Sequence, residues 1–162
     1  TGRRAVVIGS GRLARALALA LAEAGITGLT IVSRNAATGQ QLAELVKQHT
    51  SVEATFLPLG TNALSIEPET GVLVNATALG TERPEAKLPI NVETLTPKMV
   101  VADVAYNTSR TWLTQQAAER GCRVVDGLSL YVQQTALALR TWTGVMPDTV
   151  SMREAAEEFL GI

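Results

Sequence analysis

Four apolar residues in succession, Ala5-Val6-Val7-Ile8, run straight into Gly9-Ser10-Gly11-Arg12-Leu13-Ala14. An unbroken apolar run of this kind reads as a strand covered on both faces, as in a parallel sheet. The G-x-G-x-x-A pattern that ends it opens a helix from Arg12 to about Ala24. There Ala14, Leu17, Ala18, Leu21 and Ala22 recur at helical spacing before Gly25 stops the helix. Each small residue of the turn has a task. Gly9 permits the tight exit from the strand, Gly11 lets the backbone approach a pyrophosphate, and Ala14 lets the helix pack close to the sheet. The helix start then offers unpaired N–H groups and the positive end of its dipole to phosphates.

The remaining pattern agrees with that start. Strands are expected at Leu29–Val32, Ala54–Leu57, Val72–Val74, Val100–Ala102 and Val124–Val125. Helices are expected at Ala36–Gln48, Ser109–Arg120, Leu128–Trp142 and Met152–Leu160. Residues 58–71, with two prolines and two glycines, read as loop with one helical turn, and 80–91 as a second polar loop. Strands alternating with helices imply parallel pairing with right-handed crossovers. The expected fold is a doubly wound, Rossmann-like α/β sheet with helices on both faces. Ligands in such sheets bind at the carboxyl ends of the strands.

Composition narrows the partners. The 162 residues are 46% hydrophobic and 18% charged, which fits one ordered domain and not a disordered tail. A formal net charge of −1 and 4% aromatics leave neither the basic footprint of a nucleic-acid binder nor stacking platforms for single strands. No run approaches the ~18 apolar residues of a membrane span. Cys122 is the only cysteine and His49 the only histidine. A lone cysteine fits a reducing, cytoplasmic setting, and no metal site is expected around a lone histidine at a helix end.

The end of the second strand selects the cofactor. NAD-binding domains place an acid there to bond the ribose 2′-hydroxyl. This chain has Ser33-Arg34-Asn35, with no carboxylate. A 2′-phosphate would be held by the planar guanidinium of Arg34, so NADP(H) is the expected cofactor.

Three further segments follow strand ends: Asn75-Ala76-Thr77-Ala78-Leu79-Gly80-Thr81, Asp103-Val104-Ala105-Tyr106-Asn107-Thr108, and Asp126 through Ala136. Taken singly, each is open to a turn or cap reading. Together with the glycine loop they resemble the cofactor-binding, C-terminal half of shikimate dehydrogenase and its quinate/shikimate relatives. That family carries a glycine loop followed by A-R-A, an N-R-T clamp, N-A-T-P-L-G-M, D-x-V-Y-N-P and D-G-L-G-M-L-V-x-Q-A-A. These fall on residues 9–16, 33–35, 75–81, 103–108 and 126–136, with Gln134 on the glutamine. The family's W-T-G falls on Trp142-Thr143-Gly144. Departures from the pattern include Ser33, Thr81, Thr108, Ser129 and Leu130.

The resemblance implies cofactor contacts from Gly9, Ser10, Gly11, Arg12, Leu13, Ala14, Ser33, Arg34, Asn35, Asn75, Ala76, Thr77, Val104, Gly127 and Leu130. It places Tyr106 and Gln134 toward the substrate. It also implies that residues 1–162 are one cofactor domain, preceded by a substrate domain that carries the catalytic lysine and aspartate. No catalytic residue is then expected in this chain. Tyr106 and Arg110 form Y-x-x-x-R, which lacks the lysine of a Tyr–Lys pair, and Lys47, Lys87 and Lys98 sit where solvated charges sit. The implied reaction is NADPH-dependent reduction of 3-dehydroshikimate to shikimate. Two alternatives are the cofactor domain of a quinate- or glutamyl-tRNA reductase-type enzyme and a nucleotide-sensing module without catalysis. The last helix carries an apolar stripe through Val150, Met152, Ala155, Ala156, Phe159 and Leu160. It is expected to stay partly open or to pair two copies of the chain.

Overall fold

A computed structural model describes residues 2–162. The chain runs β1 (Arg4–Ile8), α1 (Arg12–Glu23), β2 (Gly28–Ser33), α2 (Ala36–His49), β3 (Glu53–Pro58) and β4 (Thr70–Asn75). It continues through β5 (Val100–Asp103), α3 (Trp112–Glu119), β6 (Arg123–Val125), α4 (Gly127–Thr143) and α5 (Thr149–Leu160). All six strands are parallel, in the order β3-β2-β1-β4-β5-β6. The order reverses direction between β1 and β4, so their carboxyl ends frame the crevice where such sheets bind ligands.

Alternation along the strands builds two cores. Ala5, Val7, Leu29 and Ile31 face one layer, packed by Ala14, Ala18 and Ala22 of α1 and by Leu42, Ala43 and Val46 of α2. Val6, Ile8, Val32, Leu73 and Val101 face the other, against Leu113 and Ala117 of α3. The alanine row of α1 recurs every four residues, and its small side chains bring the helix axis down onto β1. The expected helices on both faces are present but unequal. On the second face, loop residues Ile66, Leu88, Ile90 and Leu95 do much of the covering.

Two boundaries differ from expectation for a local reason. α3 starts at Trp112 and not at Ser109, because Thr111 and Thr114 form a reciprocal capping box. α5 starts at Thr149 and not at Met152, because Asp148 accepts from the Val150 amide at 3.0 Å. The single helical turn expected in 58–71 is absent. Leu64 instead bridges to Ile90, and the short 3-10 turn falls at Val92–Thr94. Cys122 is buried and donates to the Thr96 carbonyl, while His49 bonds the Leu45 carbonyl at a helix end. Both are ordinary structural residues. Among the described residues no group of acids, histidines or cysteines is placed to hold a metal, and no helix is long and apolar enough to cross a membrane.

α5 carries no buried residue, and its Phe159 is 89% exposed. Polar bonds tie it to α4. Arg153 donates to Asp126 at 3.2 Å and to the Ser129 hydroxyl at 2.6 Å, while its Nε donates to Glu157 at 2.8 Å. Burial alone would push Asp126 up, but the Ser129 amide and Arg153 outweigh it and hold the carboxyl below the usual carboxylate range. A depressed folded value contributes stability that is present above the unfolded value of 3.8 and is lost as pH falls through the folded one. Acid should therefore loosen α5. Hydrogen exchange, corrected for intrinsic rates, should show the amides of 149–160 losing protection in acid before those of β1 and β4. Simultaneous loss would refute the clamp.

Candidate functional site

Two clefts open at the carboxyl ends of the strands, one on each side of the glycine loop. The first, of about 790 Å³, is lined by Gly9, Ser10, Gly11, Ser33, Arg34, Asn35, Ala76 and Thr77, together with Val32, Leu59 and Ala78. The second, of about 540 Å³, is lined by Leu13, Val104, Tyr106, Gly127, Leu130 and Gln134, together with Tyr131 and apolar residues of α1 and α4. The geometry thus brings fourteen of the seventeen expected site residues to one edge of the sheet, in two adjoining groups.

The other three stand apart. Arg12 lies with Arg15 and Thr38 on the outer side of the glycine loop. Ala14 is fully buried on the sheet side of α1 and Asn75 fully buried at the end of β4. Both act through what they position.

The glycine loop leaves its backbone open. Gly9 has φ +119°, and a Cβ there would meet the Ala76 carbonyl oxygen at 2.8 Å, so both backbone conformation and space exclude a side chain. A Cβ on Gly11 would meet nothing within 4 Å, which leaves its backbone open to the cleft. Gly11 is also the N-cap of α1 and offers no side-chain cap, so the first-turn N–H groups remain available to an anion.

At the end of β2 a hydroxyl chain replaces the acid of NAD sites. Ser10 shares a 2.8 Å bond with Ser33 and a 2.7 Å bond with Thr38. Ser33 donates onward to the Asn35 carbonyl at 3.0 Å, and Asn35 caps α2 by accepting from the Thr38 amide. Arg34 is exposed beside them, and no salt bridge engages it among the described residues. Thr38 was not among the expected residues. Its place three positions after the Asn35 cap was the available signal.

A buried polar centre underlies the loops that border both clefts. Asp103, 1% exposed, accepts from Asn75 Nδ2 at 3.1 Å, the Thr111 hydroxyl at 2.8 Å and the Ala105 amide at 3.1 Å. Asn75 Oδ1 accepts from the Thr77 amide and hydroxyl, and its Nδ2 also donates to the Leu79 carbonyl. One carboxylate therefore fixes the 76–80 loop, the 104–105 turn and the α3 cap. Burial pushes Asp103 up against these bonds. Its contribution is of opposite sign to that of Asp126: present below the unfolded value and lost as pH rises through the folded one.

The second cleft has a different character. Its lining residues include no charged side chain. Tyr106, following β5, and Tyr131, on α4, stack with ring centroids 5.0 Å apart and planes 17° from parallel. Gln134 lies one helical turn from Tyr131.

Residues 1–105 match the model of the Shikimate / quinate 5-dehydrogenase family. The chain belongs to that family. The shikimate dehydrogenase (NADP(+)) of Archaeoglobus fulgidus is 36% identical over 155 residues, covering 96% of this chain and 56% of that protein. The crystal structure of ligand-free 5-ketofructose reductase from Gluconobacter sp. strain CHM43 superposes with a TM-score of 0.94 at 33% identity, covering 98% of this chain and 57% of that one. The Thermus thermophilus shikimate 5-dehydrogenase complex with NADP(H) and shikimate gives 0.77 at 34% identity, over 95% of this chain and 54% of that one. The chain thus spans little more than half the length of the relatives it matches.

Proposed function

We propose that the chain is the NADP(H)-binding domain of a shikimate dehydrogenase-type oxidoreductase, joined in the whole protein to a substrate domain. The observation that carries this reading is the first cleft. An open glycine loop and an uncapped helix start adjoin a strand end that bears Arg34 and hydroxyls where an NAD site bears an acid. Gly9, Gly11 and the first turn of α1 would hold the pyrophosphate, while Arg34 with Ser33 and Thr38 would hold the 2′-phosphate. Leu13, Val104, Gly127 and Leu130 would border the nicotinamide, with Tyr106 and Gln134 facing the substrate.

When bound, the cofactor supplies a hydride. Reduction of a ketone also needs a proton donor at the nascent alkoxide. In this reading the donor belongs to the substrate domain, because the lining of the second cleft includes no lysine, histidine or acid. The parent reaction in this reading is reduction of 3-dehydroshikimate to shikimate, in the cytoplasm. Reduction of 5-ketofructose is a second reading, favoured by the 0.94 superposition on a reductase of that ketone. Pairing of two copies through the exposed end of α5 belongs to the same proposal.

The test uses the 162-residue chain alone. It should bind NADPH in a calorimetric titration and yet oxidise it only at background rate with 3-dehydroshikimate. Absence of NADPH binding would sink the cofactor reading. Turnover by the isolated chain would show that Tyr106 or another group here donates the proton.

A further inference from the structure

We propose that Arg12 and Arg15 form the second wall of a 2′-phosphate clamp, on the far side of Ser10 from Arg34, and so help the protein distinguish NADPH from NADH. The proposal rests on reading the first cleft as the cofactor site. Beside that cleft, on the outer side of the glycine loop, lies a hollow of about 270 Å³. Ser10 and Gly11 line both. Arg12, Arg15, Thr38 and Gln41 line the rest of the hollow, with buried Leu42. Arg12 and Arg15 are three residues apart on α1, and Thr38 and Gln41 three apart on α2, so each pair shares a helix face. The hollow is the seam where these two helices begin.

The charge gathered there is unfavourable until an anion arrives. Arg12 is the first residue of α1 and Arg15 the fourth, so two cations sit one turn apart at the positive end of a helix dipole. Helix stability alone would favour acids at these positions, and the first turn has none. Both arginines are exposed, and no salt bridge engages either among the described residues. Neither the hollow nor the first cleft has a carboxylate in its lining. The hydroxyls locate the anion. Ser10 bonds both Ser33, which lines the cleft, and Thr38, which lines the hollow. A 2′-phosphate resting on Ser33 and Thr38 therefore lies at the opening between the two, within the field of Arg12, Arg15 and Arg34. The pyrophosphate has its own donors in the backbone N–H groups at the start of α1.

The test is calorimetric titration of the full-length protein that contains this chain, with NADPH, NADH and adenosine 2′,5′-bisphosphate. Arg12→Ala should weaken NADPH and the bisphosphate about fivefold, the upper end for an exposed ion pair, and NADH by less than about twofold. Arg15→Ala should do the same. Arg12→Glu should weaken the two ligands that carry a 2′-phosphate about twenty-five-fold, because repulsion replaces an attraction of similar size. Its Tm should hold or rise, since an acid suits the start of a helix, so the lost binding is not lost folding. Equal weakening of NADPH and NADH would place Arg12 on the pyrophosphate and overturn the clamp. Unchanged NADPH binding in Arg12→Glu would also overturn it, and would show the arginines to be solvated surface charges. In either case an unmodified protein that prefers NADPH leaves the cofactor reading standing. Absence of NADPH binding in the unmodified protein would remove both.

Discussion

Arg34→Ala should cost the chain most of its preference for NADPH over NADH. Arg34 is an exposed cation at the mouth of the 790 Å³ cleft, and no salt bridge engages it among the described residues. A bound 2′-phosphate would give its planar guanidinium a tetrahedral, doubly charged partner. Hydrogen bonds to charged groups contribute about 1.5–3 kcal/mol, and solvent exposure keeps this case to about 2 kcal/mol, about thirtyfold in affinity. The hydroxyl chain through Ser10, Ser33 and Thr38 would remain and could still bond a ribose hydroxyl, so NADH affinity should move by no more than about threefold. Calorimetric titration of both cofactors into both proteins decides it. Equal affinities in the unmodified chain would refute the assignment. The gap should also narrow at high ionic strength, because the pair is exposed.

Gly127→Ala should be the most damaging single-methyl change in the chain. Gly127 opens α4 directly beneath the β5 turn. A Cβ there would lie 2.2 Å from the Ala105 carbonyl oxygen, 2.4 Å from its carbon and 2.7 Å from the Val104 carbonyl carbon. All three are backbone atoms and cannot swing aside, so either α4 or the 104–105 turn must move. Overpacking of this kind costs about 3 kcal/mol or more. In a domain of this size that lowers Tm by about 6–12 °C. Because the displaced turn leads into Tyr106, ligand affinity should fall in whatever fraction stays folded. A Tm within about 2 °C of the unmodified chain would show that the α4 entry is looser than its geometry implies.

Much of this was legible in the sequence, and for identifiable reasons. Strands such as Ala5–Ile8 are buried on both faces and announce themselves as apolar runs. The glycine loop shows because Gly9 holds a backbone conformation and a space that exclude a side chain. What the sequence hides depends on partners distant along the chain. α3 starts late because Thr111 is drawn into a bond with Asp103, which periodicity does not reveal. Asn75 reads as a loop residue in the sequence but is fully buried, since its amide satisfies Asp103 across two strands. The face formed by Tyr131 with Tyr106 requires β5 and α4 to converge, although Tyr131 and Gln134 already sat one turn apart. The apolar stripe of α5 is plain in the sequence, yet the helix is attached through Arg153, a residue on the polar side of that stripe.

The carboxylate of Asp103 bears on the kinetics of ligand capture. It ties the 76–80 loop, the 104–105 turn and the start of α3 to one point under the sheet edge. These parts of the cleft walls are therefore held by bonds within the chain, before any dinucleotide arrives. Little conformational entropy is left to lose on binding, so the incoming molecule meets a finished mould.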